Sequence, residues 1–346
     1  MKKVGIVGHF GFGHKLLNGQ TIKVKILSEE FQNELGSGNV MTVDTHGGAK
    51  RVPAMIVNTI IMFRNCENCM VLPAYKGVLV FTPLFSLLNK FYHRKTYYIV
   101  VGGWLDSYLN KYKWLEKLLK NYTAICVETT TMKNALEKRG FKNIELVANC
   151  KELPELSVRN LQHSFIEPYA LCTFSRIMKG KGIENLIYAI QKVNENAGQI
   201  VYTLDIYGEV WKDYISEFEE LQKDFPEYIK YKGSVNYDKS VETLKNYFAL
   251  VFPTLFYTEG IPGTIIDAYA AGLPVISSRW ESYDDVIEDN ITGIGYEFGN
   301  DKALIDILET VKCDPQKLID MKENCLRKAK EFSPRAIVGG FIQKFF

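Results

Sequence analysis

The sequence predicts an α/β protein built on two parallel, doubly wound sheets. Strand-like and helix-like segments alternate along the whole chain, the alternation falls into two series, and a polar stretch bracketed by Pro154 and Pro168 separates them. A length of 346 residues suits two such domains better than one.

Short apolar runs mark buried strands of the first series at residues 4–7, 40–43, 70–72, 97–101, 124–127 and 144–147. Helical spacing fills the gaps, as in residues 22–35 and in 132–139, where Gly140 provides the stop. The second series places strands at residues 169–174, 201–207, 229–232, 250–252 and 275–277. Two series of this kind mean two Rossmann-like domains, residues 1–165 and 166–332, with the boundary inside residues 149–168. Residues 333–346, with Pro334 near their start and one apolar face, read as a last helix.

The composition, 47% hydrophobic and 24% charged, is that of a soluble globular protein. The net charge of +2 conceals an asymmetry: residues 1–165 hold 22 Lys and Arg against 12 Asp and Glu (+10), and residues 166–346 hold 20 against 28 (−8). A basic first half suits anionic lipid headgroups or a phosphorylated acceptor, and a merely solvated surface explains the same count. Seven Cys without an export signal point to reduced thiols in a cytosol. The opening MKKVGIVGHF reads as a first strand, and residues 78–88, the longest apolar candidate, are interrupted by Thr82, Pro83 and Ser86, short of the roughly eighteen apolar residues a spanning helix needs. The expected location is cytoplasmic, either free or peripheral at the inner face of a membrane.

Residues 258–278, TEGIPGTIIDAYAAGLPVISS, carry the most chemistry. They read as loop, helix, turn and buried strand, with Pro262 suited to a first helical turn. Gly260 and Gly263 allow close approach of a ligand, and the N–H groups of Gly260, Ile261, Pro262's neighbour Gly263, and Thr264 make a helix-start anion site. Glu259 and Asp267, eight residues apart, fall slightly more than two turns from each other, so both are placed to face one ligand. An anion flanked by carboxylates fits a nucleotide sugar.

This stretch resembles the Glu-x7-Glu signature of retaining GT-B glycosyltransferases, family 4 in particular, with Asp in place of the second Glu. Residues 171–186, LCTFSRIMKGKGIENL, are similar to the same family's strand followed by Arg and then Lys-Gly before a helix. The resemblance implies a GT-B fold, two Rossmann-like domains facing a central cleft, with helix 333–346 crossing back to the first. It implies that Arg176 and Lys181 clamp the donor diphosphate, that Glu259 faces the donor hexose and Asp267 the ribose, and that Gly208 and Val235 line the nucleotide pocket. The catalytic set would be Arg176, Lys181 and Glu259. The donor would be a nucleoside-diphosphate sugar, UDP favoured over GDP, with no cofactor and no metal. The acceptor would be a saccharide or lipid-linked saccharide, in the setting of bacterial capsule or O-antigen assembly, with no nucleic-acid partner. A GT-B nucleotide-sugar epimerase and a catalytically silent sugar-binding scaffold are the alternatives; the presence of Arg176, Lys181 and Glu259 argues against silence.

The first βα turn, residues 8–20, is glycine-rich but meets neither the P-loop nor the dinucleotide spacing. It reads as a ligand-facing loop in which Gly19 lets the backbone approach phosphate, against the plainer reading of a glycine-rich turn. Some members of the resembling family carry a His near the reacting sugar, and the matching Val101-Gly102-Gly103-Trp104 has none. The resemblance to retaining members then implies that the donor phosphate takes the acceptor proton, with Asp106 as an alternative base. Cys66 and Cys69 form a lone pair without further zinc ligands, the five histidines show no metal spacing, and Asp284 and Asp285 read as structural or substrate-adjacent. Residues 108–122 set Leu and Tyr at helical spacing between Lys111, Lys113, Lys117 and Lys120. That pattern fits a helix packed on the sheet, or a basic helix lying on an anionic membrane.

Overall fold

The structure is a computed structural model, and it describes residues 1–14, 19–73, 75–154 and 156–346. The chain divides into two compact units, Met1–Glu152 with Phe332–Phe346, and Leu153–Glu331.

In the first unit the chain runs β1 (Lys2–Gly8), α1 (Gly19–Leu35), β2 (Val40–Asp44), α2 (Val52–Asn65), β3 (Cys66–Leu72) and α3 (Val78–Tyr92). It continues through β4 (Lys95–Ile99), α4 (Leu105–Lys111), α5 (Trp114–Leu119), β5 (Ala124–Val127), α6 (Thr130–Lys138) and β6 (Ile144–Leu146). The second unit holds β7 (Tyr169–Phe174), α7 (Ile183–Ala197), β8 (Tyr202–Tyr207), α8 (Ile215–Lys223), β9 (Ile229–Gly233) and α9 (Ser240–Leu244). It ends with β10 (Ala249–Phe252), α10 (Gly263–Ala270), β11 (Val275–Ser278), β12 (Gly293–Tyr296), α11 (Asp301–Cys313), α12 (Gln316–Ile319) and α13 (Lys322–Ala329). The last helix, α14 (Pro334–Phe345), returns to the first unit.

Among the described residues each unit has one six-stranded sheet, ordered β2-β1-β3-β4-β5-β6 and β12-β11-β10-β7-β8-β9, with the strands paired in parallel. Helices on both faces bury such sheets, which is why central strands such as AICV in β5 and ALVF in β10 are apolar and buried throughout. In the first unit, one face packs Phe63, Phe85, Leu109 and Leu115 against the sheet, and the other packs Val24, Phe31 and Phe341. There α14 lies on α1, with Phe341 5.1 Å from the Tyr97 ring and 6.0 Å from Phe31.

Two elements differ from the sequence reading. Residues 108–122 form two helices, not one: Tyr112 leaves the helical region at φ −125°, ψ 60°. A continuous helix would place Leu115 about 120° around the axis from Leu109, and the break lets both be fully buried. The strand β12 carries no run of β-branched residues to announce it. Its glycines serve packing: a Cβ on Gly293 would lie 2.2 Å from the Val275 carbonyl oxygen.

Candidate functional site

In the second sheet the strand order reverses between β7 and β10, and open α/β sheets bind ligands just beyond the strand ends at such a point. The chain segments leaving those two strands carry Arg176, Lys181 and Glu259. Arg176 is exposed two residues beyond β7, its guanidinium 4.8 Å from the Trp211 ring centroid. A 3-10 turn, Lys179–Lys181, follows, and Gly182 closes it at φ 67°.

This turn is pressed onto the segment leaving β10. The Leu255 N–H donates to the Gly180 carbonyl at 2.9 Å. A Cβ on Gly182 would lie 2.0 Å from the Pro253 carbonyl oxygen, so only glycine permits the approach and the left-handed backbone together. Lys181 is thereby set 5.2 Å from the ring centroids of both Phe252 and Phe256. Its ammonium pairs with Glu259, with the two side chains only 15% and 18% exposed. The Thr254 hydroxyl donates to the same Glu259 oxygen at 3.3 Å. The shelter and the third partner make this a more defined pair than a surface salt bridge.

The helix α10 begins at Gly263, and Pro262 stands before it as N-cap with φ −67°, ψ 125°, one position earlier than the first-turn placement expected of it. Gly260, Ile261 and Pro262 are buried, and the Thr264 hydroxyl donates to the Phe174 carbonyl at the end of β7. The N–H groups of Gly263 and Thr264, first in the helix, have no intrahelical acceptor. Asp267 is 2% exposed on α10 and accepts from the Ser240 hydroxyl at 2.8 Å. Glu259 and Asp267 thus have different partners, Lys181 and Ser240. Gly208, at φ 140°, packs so tightly that a Cβ would lie 1.8 Å from the Ser175 carbonyl oxygen. The Gly208 N–H donates to the Gly233 carbonyl at 2.9 Å, and the Tyr231 hydroxyl donates to the Gly208 carbonyl at 3.0 Å. Val235 is half-buried two residues after β9.

In the first unit Gly19 opens α1, and a Cβ there would meet nothing within 4 Å. Residues 15–18 of the glycine-rich turn lie outside the described residues. What precedes them is fastened to Asp44, whose Oδ1 accepts from the N–H groups of Phe10 (2.9 Å), Gly11 (3.1 Å) and His46 (2.9 Å) and whose Oδ2 accepts from Phe12 (3.1 Å). Burial pushes the Asp44 carboxyl up, and the four N–H groups outweigh it and hold the carboxyl below its usual range. The loop's own carboxylate therefore occupies amides of a kind that would cradle an anion.

Sequence spacing did not bring the histidines together, but the parallel register that sets Gly8 level with Asp44 does. His9 Nδ1 is 2.7 Å from the Thr21 hydroxyl, His46 Nδ1 is 3.2 Å from His9 Nε2, and the His14 ring lies 4.7 Å from that of His46. Burial and the neighbouring His46 keep the His9 pKa below its ordinary value. Asp106, the alternative base, is engaged by Arg139 at 2.5 Å. Cys66 and Cys69 are free thiols buried in β3, and burial raises the pKa of Cys66 to about 11. Asp284 lies 3.7 Å from Arg279.

Residues 162–331 match the family described as Glycosyl transferases group 1. The second unit is a glycosyltransferase group 1 domain. Among curated proteins, the chain is similar to the amylovoran biosynthesis glycosyltransferase AmsK of Erwinia amylovora, 27% identical over 163 residues. That match covers 45% of this chain and only 39% of AmsK. Among solved structures, Anabaena Alr3699/HepE, in complex with UDP and glucose, superposes with a TM-score of 0.73 at 13% identity over 99% of both chains. Sucrose-phosphate synthase from Thermosynechococcus elongatus gives 0.76 at 14% identity, covering 99% of this chain and 98% of that one. These likenesses establish the fold, which is GT-B.

Proposed function

We propose that this chain is a retaining glycosyltransferase of the family 4 type. It would move a hexose from a nucleoside-diphosphate sugar, UDP favoured over GDP, to a saccharide or lipid-linked saccharide during bacterial surface-polysaccharide assembly. The observation that carries the reading is the sheltered Lys181–Glu259 pair at the switch point of the second sheet, with exposed Arg176 on the same segment after β7 as Lys181. The match of residues 162–331 and the likeness to AmsK support it.

In this reading Arg176 grips the diphosphate with its planar fork and Lys181 adds a point charge. The N–H groups at the start of α10 supply further donors. Glu259 holds Lys181 in place until the diphosphate takes over its charge, and then accepts from the hexose hydroxyls. Asp267, positioned by Ser240, meets the ribose. As the bond between the anomeric carbon and the phosphate oxygen breaks, fixed positive groups stabilise the departing charge. The acceptor oxygen bonds to the anomeric carbon on the same face, and its proton passes to the leaving phosphate.

The test is a thermal-shift panel of nucleoside-diphosphate sugars followed by turnover measurements. A cognate donor at a hundredfold its Kd should stabilise the protein by about 2.7 kcal/mol. Lys181→Ala and Arg176→Ala should each cut turnover about a hundredfold or more; near wild-type turnover in both would end the assignment. A new sugar isomer from donor alone would favour an epimerase. The protein's own cations take the place of a metal in this mechanism, so transfer should persist in excess chelator, and metal-reversible loss of activity would contradict it.

A further inference from the structure

The helices α2, α3 and α5 are neighbours in the first unit, and together they expose an apolar layer. On α3, Val80, Leu87 and Phe91 are 43%, 53% and 73% exposed, and their spacing of seven and then four places them on one side of the helix. The opposite side, with Val78, Phe81, Phe85 and Leu88, already covers the sheet. The outward stripe therefore adds nothing to the core. Val57 and Ile61 continue it on α2, and Trp114 at the start of α5.

Each of these stripes has an exposed cation three residues further on, Arg64 after Ile61, Lys90 after Leu87 and Lys117 after Trp114, hence on the same face. Between Asp44 and Asp106 the sequence holds seven Lys and Arg and one acid, Glu67, which pairs with Lys3 at 3.3 Å. Exposed apolar groups gathered on neighbouring helices mark a contact surface. Aromatic and aliphatic groups rimmed by cations match the boundary of an anionic bilayer, where acyl chains meet headgroup phosphates. No helix among the described residues is long and apolar enough to cross a membrane.

We propose that the α2–α3–α5 face docks on an anionic lipid surface. This deepens the transferase reading above, on which it rests for its purpose, by naming the surface that would bring the enzyme to a lipid-linked acceptor. It also moves the contact away from Lys111 and Lys120. Lys111 lies 5.4 Å from the Tyr112 ring centroid, and Lys120 donates to the Arg139 carbonyl at 2.8 Å.

The experiment is co-sedimentation of the full chain with vesicles of phosphatidylcholine alone and of phosphatidylcholine with phosphatidylglycerol, at low and high salt. Binding is expected to the mixed vesicles only, and to fade with salt. Leu87→Ser with Phe91→Ser should weaken it at least about tenfold while leaving Tm unchanged. Arg64→Gln, Lys90→Gln and Lys117→Gln together should flatten the salt dependence. Equal binding of wild type and the Leu87/Phe91 variant, or no preference for phosphatidylglycerol, overturns the proposal. So does a wild-type dimer in solution that the same variant abolishes, since the face would then join two copies of this chain. Nucleotide-sugar binding is measured separately on the same preparations. Vesicle binding without it overturns the transferase reading and keeps the surface, and the converse overturns the surface alone.

Discussion

Among the described residues two lysines, Lys23 and Lys322, are buried, and their surroundings set opposite consequences. Lys23 on α1 meets Glu128 at 2.5 Å, and the other Glu128 oxygen accepts from the Gly102 N–H at 3.1 Å, so charge is balanced inside the first unit. Lys322 on α13 rests 3.3 Å from the Tyr247 carbonyl oxygen and 5.0 Å from the Phe165 ring centroid. Burial lowers its pKa to about 8 from 10.5, against a smaller opposing pull from Cys325 and Cys172. An unfolded chain binds that proton more tightly, so stability is expected to rise as pH climbs from about 8 toward about 10.5, by up to about 3 kcal/mol. Lys322→Met should be more stable than wild type at neutral pH and should lack that rise. Denaturant unfolding of both proteins between neutral pH and the mid-nines checks this, and parallel curves would refute it.

At the scale of elements, the candidate site depends on how closely two loops approach. The turn carrying Lys181 can lie on the segment after β10 only because Gly182 has no Cβ and accepts φ 67°. Gly182→Ala should cost at least about 1–2 kcal/mol from the left-handed backbone alone, with the clash against Pro253 added. Because the turn must then lift, Lys181 loses its place against Glu259, and donor affinity should fall along with Tm. A Tm loss with unchanged donor binding would show that the turn does not position Lys181. Sequence glycines gave no sign of which neighbour required them; Pro253 lies some seventy residues away along the chain from Gly182.

For the whole molecule, α14 makes the first unit from two separate stretches of chain. Phe341 and Phe345 close over Tyr97 at 5.1 and 5.2 Å, Lys344 reaches Glu145 at 2.5 Å, and Lys95 donates to the Phe345 carbonyl at 2.7 Å. Truncation after Glu331 should expose Phe31 and Tyr97 and destabilise the first unit by several kcal/mol, since burying each large apolar side chain is worth about 1.5–3 kcal/mol. Hydrogen exchange should report that loss in β1, β3 and β4 and leave β7 to β11 protected. Uniform loss across both sheets would argue against two separate units.

Apart from β12 and the break at Tyr112, the alternation of buried strands with helices was legible in the sequence, because a sheet covered on both faces needs apolar runs in its central strands and an apolar stripe in each covering helix. Two doubly wound parallel sheets follow from that pattern; GT-B came from the resemblance of residues 171–186 and 258–278, and the solved structures bear it out. The short segments 171–186 and 258–278 were legible too, since local backbone chemistry dictates a strand, a glycine turn and a helix start. Tertiary structure decided the rest. It paired Glu259 with Lys181 and set Asp267 against Ser240, because partners are chosen by which loops the sheet order brings side by side. It gathered His9, His14 and His46 through strand pairing that no linear spacing records, and it split residues 108–122 so that Leu109 and Leu115 face one core. It also separated the two apolar sides of α3, one against the sheet and one facing outward, a distinction that periodicity cannot make when both sides are apolar.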